Sequence, residues 1–293
     1  MKAIDPNDRN YASISPSAKA LLLMKGFTNI PFARQAAEIM TAPEKFVPDF
    51  DKESFIFCFR VAHMELRYLS IDQLLSDLPL KNIIELCSGF SFRGLAMVMQ
   101  HDVHYIDTDL PEVIEKKNET MSGLQHGLSE QKGKLELLPL NALDEKSFTE
   151  VVNRFPEGPV AIVNEGLLMY LGLKEKEQVC AIIHKILAQR GGYWITADIY
   201  IKMPPPPEAF KIDDDFQKFL DEQRIDDNKF DSFEAAEAFF KGCGFAVDKE
   251  AEIDYKNASA LPYVIKKMPA EFQRPTGQPP KIQATWRLKI AEG

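Results

Sequence analysis

The chain has 293 residues, of which 45% are hydrophobic and 27% charged, a balance that excludes collagen-like, disordered and disulfide-scaffold architectures. That length predicts one large domain, or one domain with a cap. With 35 basic and 44 acidic side chains the net charge is −9 and the isoelectric point near 5.2, so no global field draws in phosphodiesters and nucleic acid is not an expected partner.

Apolar runs such as residues 18–24 fall short of the roughly 18 residues that span a bilayer. The opening MKAIDPNDRNY carries no hydrophobic signal stretch, so neither membrane insertion nor export is expected. Cys58, Cys87, Cys180 and Cys243 are scattered without a C-x-x-C pair, which fits free thiols in a cytoplasmic protein rather than a structural zinc site.

In chain order, residues 16–40 read as two short helices broken at Gly26 and Pro31. Phe59, Ala62, His63, Leu66, Leu69, Leu74 and Leu75 then recur near the helical period, predicting a helix over residues 55–78 that Pro79 ends. KNIIELCSGF is a short isoleucine-rich strand with a tight turn, and SFRGLAMVMQ a helix opening at Ser91. The plan repeats: a strand over residues 103–106 runs into acidic residues before a helix at Pro111, KLELLPLNALD supplies a third strand, and VAIVNEG a fourth ahead of an amphipathic helix. GGYWITADIYI is a fifth strand.

Strands alternating with helices at this spacing predict βαβ units and a doubly wound parallel sheet. After strand five, MPPPPEAF is a stiff break and KIDDDFQKFLDEQRIDDNKFD an acidic helical insertion, with Phe210, Phe216, Phe219 and Leu220 on its buried side and its charges on a solvated face. SFEAAEAFFKGCGF follows as a helix capped by Ser232, with Phe233, Ala236, Phe239 and Phe240 inward. FAVDKEAEI and ATWRLKI are the remaining strands. The organisation expected is an α/β fold: an N-terminal helical cap over residues 1–78 and a Rossmann-like core over 79–293, with a helical lid insertion at 202–231.

Ligands of an open parallel sheet bind beyond the carboxyl ends of its strands, where strand order reverses. After strand one, Gly89 can take a positive φ and let backbone N–H groups approach a ligand. Strand two ends in Asp107-Thr108-Asp109, and a carboxylate there either accepts from both ribose hydroxyls or serves as an ordinary acid at a helix N-terminus. Asn141, after strand three, can read an adenine edge or simply close a turn. Glu165 stands in the apolar string AIVNEGLLMYL; a buried glutamate requires a partner, and a cationic ligand group would supply one. The first turn, CSGFSFRG, does not offer the G-x-G-x-x-G of a dinucleotide dehydrogenase.

Taken together, IIELCSGFSFRG, YIDTDLPEVIEKK, LLPLNALD and VNEGLLMYL, in this order and spacing, resemble the leucine carboxyl methyltransferase family and its bacterial polyketide O-methyltransferase-like relatives. The resemblance runs from about residue 15 to about residue 201, with weaker support from ATWRLKI. Asp-Leu-Pro and Glu-Gly-x-x-x-Tyr-Leu are its specific parts. It implies a class I methyltransferase sheet, S-adenosylmethionine as cofactor and transfer of a methyl group. It further implies that Gly89 stands beside the methionine part of the cofactor, with Glu85 at the strand end, that Asp109 holds the ribose diol, that Asn141 and Ala142 flank the adenine and that Glu165 faces the ammonium. SAKALLLMKGF and ELRYLSIDQLL resemble the family's two basic helices, which puts Lys19 and Arg67 at the cofactor carboxylate, with Arg60 as competitor to Arg67 and a solvated role as the plain alternative for each.

Three departures from the family stand out. Cys87 replaces a glycine, a change that β or bridge backbone would accommodate; Asn141 replaces an aspartate; and the acidic segment after strand five matches nothing in relatives. The expected activity is O-methylation of a carboxylate or hydroxyl on a small molecule, the alternative being a cofactor-binding sensor or scaffold without methyl transfer. A NAD-linked reductase is less favoured, because a nicotinamide has no ammonium for Glu165. A carboxylate acceptor needs no base, whereas a hydroxyl would draw on Tyr170, Tyr200 or His63, with Tyr68 a further candidate. His101-x-x-His104 carries metal-like spacing on a helix, but His104 begins a strand and no third ligand is near, so no metal is expected.

Overall fold

The computed structural model describes residues 15–79, 81–126, 128–204, 218, 220–272 and 281–292. Helices α1 (Ser15–Lys25), α2 (Ala33–Thr41) and α3 (Phe55–Ser76) precede β1 (Asn82–Leu86), α4 (Arg93–Gln100), β2 (His104–Asp109), α5 (Pro111–Leu124) and β3 (Lys134–Pro139). They are followed by α6 (Glu145–Val152), β4 (Val160–Asn164), α7 (Leu173–Arg190) and β5 (Gly192–Tyr200), then α8 (Phe233–Gly242), β6 (Phe245–Glu250), α9 (Leu261–Lys267) and β7 (Gln283–Ile290). The strands form one seven-stranded sheet in the order β3-β2-β1-β4-β5-β7-β6. β1 to β5 run parallel, and β7 is antiparallel to both β5 and β6.

Sheet position explains the strand sequences. β1 and β4 lie at the centre and are buried at every residue, hence the unbroken apolar runs expected of strands covered on both faces. β3 and β6 form the edges and carry exposed residues. Alternation then divides the apolar side chains between two layers. Ile84, Leu86, Ile162 and Trp194 pack with Val179, Ile183 and Phe240 of α7 and α8. Ile83, Val163 and Ile195 pack with Ile71, Leu74 and Leu75 of α3, so the helices ahead of residue 78 share a core with the sheet. Leu22 of α1 and Ala33, Ala36 and Ala37 of α2 close over Val113 and Met121 of α5.

Local sequence sets the helix ends. Ser54 accepts from the Phe57 N–H and Ser232 from the Ala235 N–H, while Pro111 opens α5. Helix α4 starts at Arg93, two residues later than expected, after Ser91 accepts the Arg93 N–H. Strand β2 runs through Asp109, so its acidic end is part of the strand, as expected. Sequence reading passed over α6, although Asp144 caps it by accepting from Lys146 and Ser147 and Phe148, Val151 and Val152 make its buried stripe, and it passed over α9 as well.

The insertion after strand five is tied back to the sheet at its far end: the Phe230 N–H donates to the Tyr200 carbonyl and the Lys202 N–H to the Phe230 carbonyl. Asp221, Glu222, Asp226 and Asp227 are exposed, as a solvated charged face requires. Phe210, Phe216 and Phe219 lie outside the described residues.

Glycine at position 94 is a close-approach requirement. A Cβ there would stand 2.7 Å from the Tyr105 ring and 2.9 Å from Leu135, and Tyr105 cannot yield because its hydroxyl is bonded to Glu85 at 2.6 Å. Gly94→Ala is expected to destabilise the fold by about 1–3 kcal/mol, the range for overpacking a core. Urea unfolding measures it, and an unchanged midpoint would show that α4 has room to lift.

Candidate functional site

Strand order reverses between β1 and β4, and beyond the carboxyl ends of these strands lies a cavity of about 480 Å³, within the usual range for a small-molecule site. Ser88 and Gly89 follow β1 into its wall, Asp109 ends β2, Asn141 and Ala142 follow β3, and Glu165 and Gly166 follow β4. Lys19 and Lys25 of α1, Arg67 of α3 and Glu112 and Lys116 of α5 complete the charged lining, with Tyr170 beside them.

The turn after β1 is left-handed twice, with φ of 50° at Cys87 and 53° at Gly89. The expectation of a β or bridge conformation at Cys87 is therefore corrected: this side chain occupies a region that a glycine would enter without cost. The turn sends the Gly89 N–H to Asp109 Oδ2 at 2.7 Å, while the Leu110 N–H reaches Oδ1 at 2.7 Å. Each oxygen keeps a further lone pair for a ligand. Burial raises the Asp109 pKa, and the two N–H groups oppose that rise. A Cβ on Gly89 would come within 3.4 Å of Ala18 on α1, so the turn and the helix meet at this wall. The neighbouring Asp107 is fully buried and pairs at 2.7 Å with Lys117, also buried, so of the two strand-end aspartates it is Asp109 that lines the cavity.

Glu165 is not waiting for a cation. Lys25 Nζ lies 2.7 Å from its Oε1 and Arg93 Nη2 3.0 Å from its Oε2, so the inference from burial to a cationic ligand is corrected: protein cations already compensate the charge. Burial alone would raise its pKa; Lys25, Arg67 and Arg93 together outweigh that and hold it at about 2. Burial pulls the Lys25 ammonium down from its ordinary value, with Glu165 opposing. Lys19, the lysine singled out in sequence, lines the cavity but is exposed. Lys25, in the same helix, is the buried one at 9% exposure, and nothing in SAKALLLMKGF distinguishes the two before the helix is docked.

Arg67, 4% exposed, donates from Nη2 to Asp198 Oδ1 at 3.2 Å, while its buried Nε has no partner among the described residues. Arg60 is not part of the cavity wall. Glu85 is a further correction. It is buried in β1, receives the Tyr105 hydroxyl at 2.6 Å and Arg93 Nε at 3.4 Å, and does not line the cavity. Sequence reading also missed Arg93 and Asp198. Asp198 interrupts the apolar ITADIYI as Glu165 interrupts AIVNEGLL, and the same argument would have found it.

The proposed bases are weak ones in this setting. Tyr170 lines the cavity, but burial raises its pKa. Tyr200 and His63 lie behind Arg67, off the cavity wall, with His63 Nε2 2.7 Å from the Tyr200 hydroxyl. Burial and then Asp198 and Glu165 raise Tyr200 to about 12 against Arg67, while burial and Arg67 lower His63 to about 3. Tyr68 is a core residue whose ring stacks 3.8 Å beneath the Arg93 guanidinium. His104 sits in β2 and pairs with Glu136 at 2.7 Å, and no group of three or more His, Cys, Asp or Glu among the described residues is arranged to hold a metal. Asn141 is exposed and its Oδ1 accepts the Leu143 N–H at 3.0 Å, as a turn asparagine does, while its amide remains at the rim.

His63 has a thermodynamic signature. Its folded pKa lies below its ordinary 6.5, so the unfolded chain takes up the proton first. The stabilisation is full above pH 6.5 and is lost as pH falls toward 3. By about pH 5 the loss is about 2 kcal/mol relative to pH 7.5. His63→Gln should abolish this part of the acid sensitivity in urea unfolding; an equal pH difference in both proteins would contradict it.

No protein-family profile matches the chain, and no curated protein does. Solved structures that resemble it include the mitomycin 7-O-methyltransferase MmcR at 13% identity, covering 97% of this chain and 76% of that one with a TM-score of 0.48. The magnesium protoporphyrin IX methyltransferase of Synechocystis, solved with bound SAH, is 8% identical, with 89% and 96% covered and a TM-score of 0.46. LepI with SAH and a substrate analogue is 12% identical over 73% of this chain, at a TM-score of 0.43. The chain spans 44% of LepI and 57% of TnmH.

Proposed function

We propose that this protein is an S-adenosylmethionine-dependent methyltransferase that methylates an oxygen of a small-molecule acceptor. One observation carries the reading: a single cavity at the switch point joins a strand-end carboxylate, Asp109, to a buried Lys25–Glu165 ion pair beside Arg67. The donor set fits the ligand. Asp109 has free lone pairs for a ribose diol, Glu165 suits an α-ammonium, and Lys25 and Arg67 suit an α-carboxylate. Asn141 and Ala142 stand where an adenine edge would lie. The Asp-Leu-Pro and Glu-Gly-x-x-x-Tyr-Leu elements make the leucine carboxyl methyltransferase family and its bacterial relatives the branch we favour.

When bound, the cofactor supplies an electrophilic methyl carbon on a sulfonium. The chain's contribution is to hold both ends of that ligand, to exclude water with Leu21, Leu22, Phe90 and Leu171, and to align an acceptor. Because Tyr170, Tyr200 and His63 are poorly placed or poorly tuned to take a proton, the site favours an acceptor oxygen that is already ionised, such as a carboxylate.

Calorimetric titration with S-adenosylmethionine, S-adenosylhomocysteine and NADH side by side tests the reading. Binding of the first two and not the third supports it; binding of NADH alone would replace it with a reductase, and binding without product across acceptors would leave a sensor. Asp109→Ala should weaken S-adenosylhomocysteine by about 1–3 kcal/mol, the scale of a hydrogen bond to a charged group, and unchanged binding would remove Asp109 from the site.

A further inference from the structure

We infer that Lys25 makes this cavity selective for a zwitterionic head group, admitting an ammonium only when a carboxylate accompanies it. The inference rests on the proposed adenosyl amino-acid ligand and adds to it a rule about which head groups are rejected.

Two cations, Lys25 and Arg93, hold Glu165. Arg93 is 1% exposed and committed elsewhere as well, to Asp72, to Glu85 and to the Tyr68 carbonyl; it is part of the scaffold. Lys25 is different. It stands on the cavity wall, its side chain is 11% exposed, and its one hydrogen bond among the described residues is to Glu165 Oε1. Lys25 therefore occupies the place on Glu165 that a ligand ammonium would take.

A ligand that brings only an ammonium must either displace Lys25 from Glu165 or crowd a further cation onto a carboxylate that Lys25 and Arg93 already hold, and neither gains a charge pairing. An unpaired buried charge costs far more than a neutral group. A zwitterion exchanges partners instead. Its ammonium takes the Glu165 oxygen, its carboxylate takes the released Lys25 ammonium, and every charge remains paired. Arg67, on the same wall, is a second cation for that carboxylate. A ligand with no head group leaves the Lys25–Glu165 pair closed and binds through its nucleoside alone.

The test compares three ligands that share the adenosyl thioether: S-adenosylhomocysteine, its decarboxylated amine S-adenosyl-3-thiopropylamine, and methylthioadenosine. In the wild-type protein S-adenosylhomocysteine should bind at least about tenfold more tightly than methylthioadenosine, and the amine no more tightly than methylthioadenosine. In Lys25→Met the order changes: the amine should overtake methylthioadenosine by about tenfold, because Glu165 is open to it, while S-adenosylhomocysteine loses most of its advantage. Wild-type protein that prefers the amine to methylthioadenosine overturns the inference while leaving the proposed function standing, and so does a Lys25→Met protein in which the amine and S-adenosylhomocysteine weaken together. If none of the three binds, the inference and the proposed function both fail. The wild-type ranking decides the matter even if Lys25→Met does not fold.

Discussion

Arg93→Met is expected to destabilise the protein by about 3–5 kcal/mol, the cost of removing one partner from a buried charge cluster. The guanidinium is 1% exposed and joins Glu85 of β1, Asp72 of α3 and Glu165 after β4, while stacking on Tyr68. Methionine fills much of the volume but leaves Glu85 without its cation, and Glu165 with Lys25 but not Arg93, in a dry interior where an isolated carboxylate is not tolerated. The charge account makes a second forecast. Adding Glu85→Gln to Arg93→Met should recover part of the loss, because it removes one of the stranded anions. Urea unfolding of the single and double variants measures both, and a single-variant loss below about 1 kcal/mol would show that Asp72, the most exposed member, carries the arginine alone.

Asp198→Asn is the second large effect. The Asp198 carboxylate is 3% exposed and takes five donors: Arg67 Nη2 at 3.2 Å, the Gly166, Leu167 and Leu168 N–H groups at 2.7, 2.6 and 3.0 Å, and Asn164 Nδ2 at 2.7 Å. It shapes the loop that presents Glu165 and Tyr170 and holds Arg67 to the cavity. The amide keeps the shape, yet it turns an –NH₂ toward groups that can only donate and takes the countercharge from Arg67. A loss of about 3–5 kcal/mol follows from the stranded donors and the unpaired cation. S-adenosylhomocysteine binding should weaken even at temperatures where the variant is folded, since both Arg67 and the loop lose their anchor. Native affinity in a folded Asp198→Asn protein would mean that the loop holds itself.

The fold was legible because its signals are local. Apolar runs of strand length separated by amphipathic helices, with Pro111, Ser54 and Ser232 at helix starts, need no long-range information. The cavity wall was legible in part for the same reason: Gly89, Asp109, Asn141 and Glu165 all stand at strand ends, and topology brings strand ends together. Pairing was not legible. Whether Glu165 meets a ligand or a lysine, whether Lys19 or Lys25 turns inward, and whether Glu85 faces the cavity or Arg93 depend on how α1 and α4 dock, a matter of tertiary packing that no spacing encodes. Cys87 shows the limit from the other side, since residue type argues against the left-handed backbone that the turn imposes on it.

β7 lies between β5 and β6, although both precede it in the chain. During synthesis β6 therefore emerges with no neighbour to hydrogen-bond, and the open edge of β5 stays bare while the intervening chain is made at about 5–20 residues per second. The parallel half of the sheet, with its cavity, can assemble on the ribosome, but the antiparallel half closes only when Gln283–Ile290 slides into the gap. Until then the facing edges of β5 and β6 are unpaired. A chain without residues 283–290 therefore has the β5 edge bare and β6 without a neighbour in the sheet.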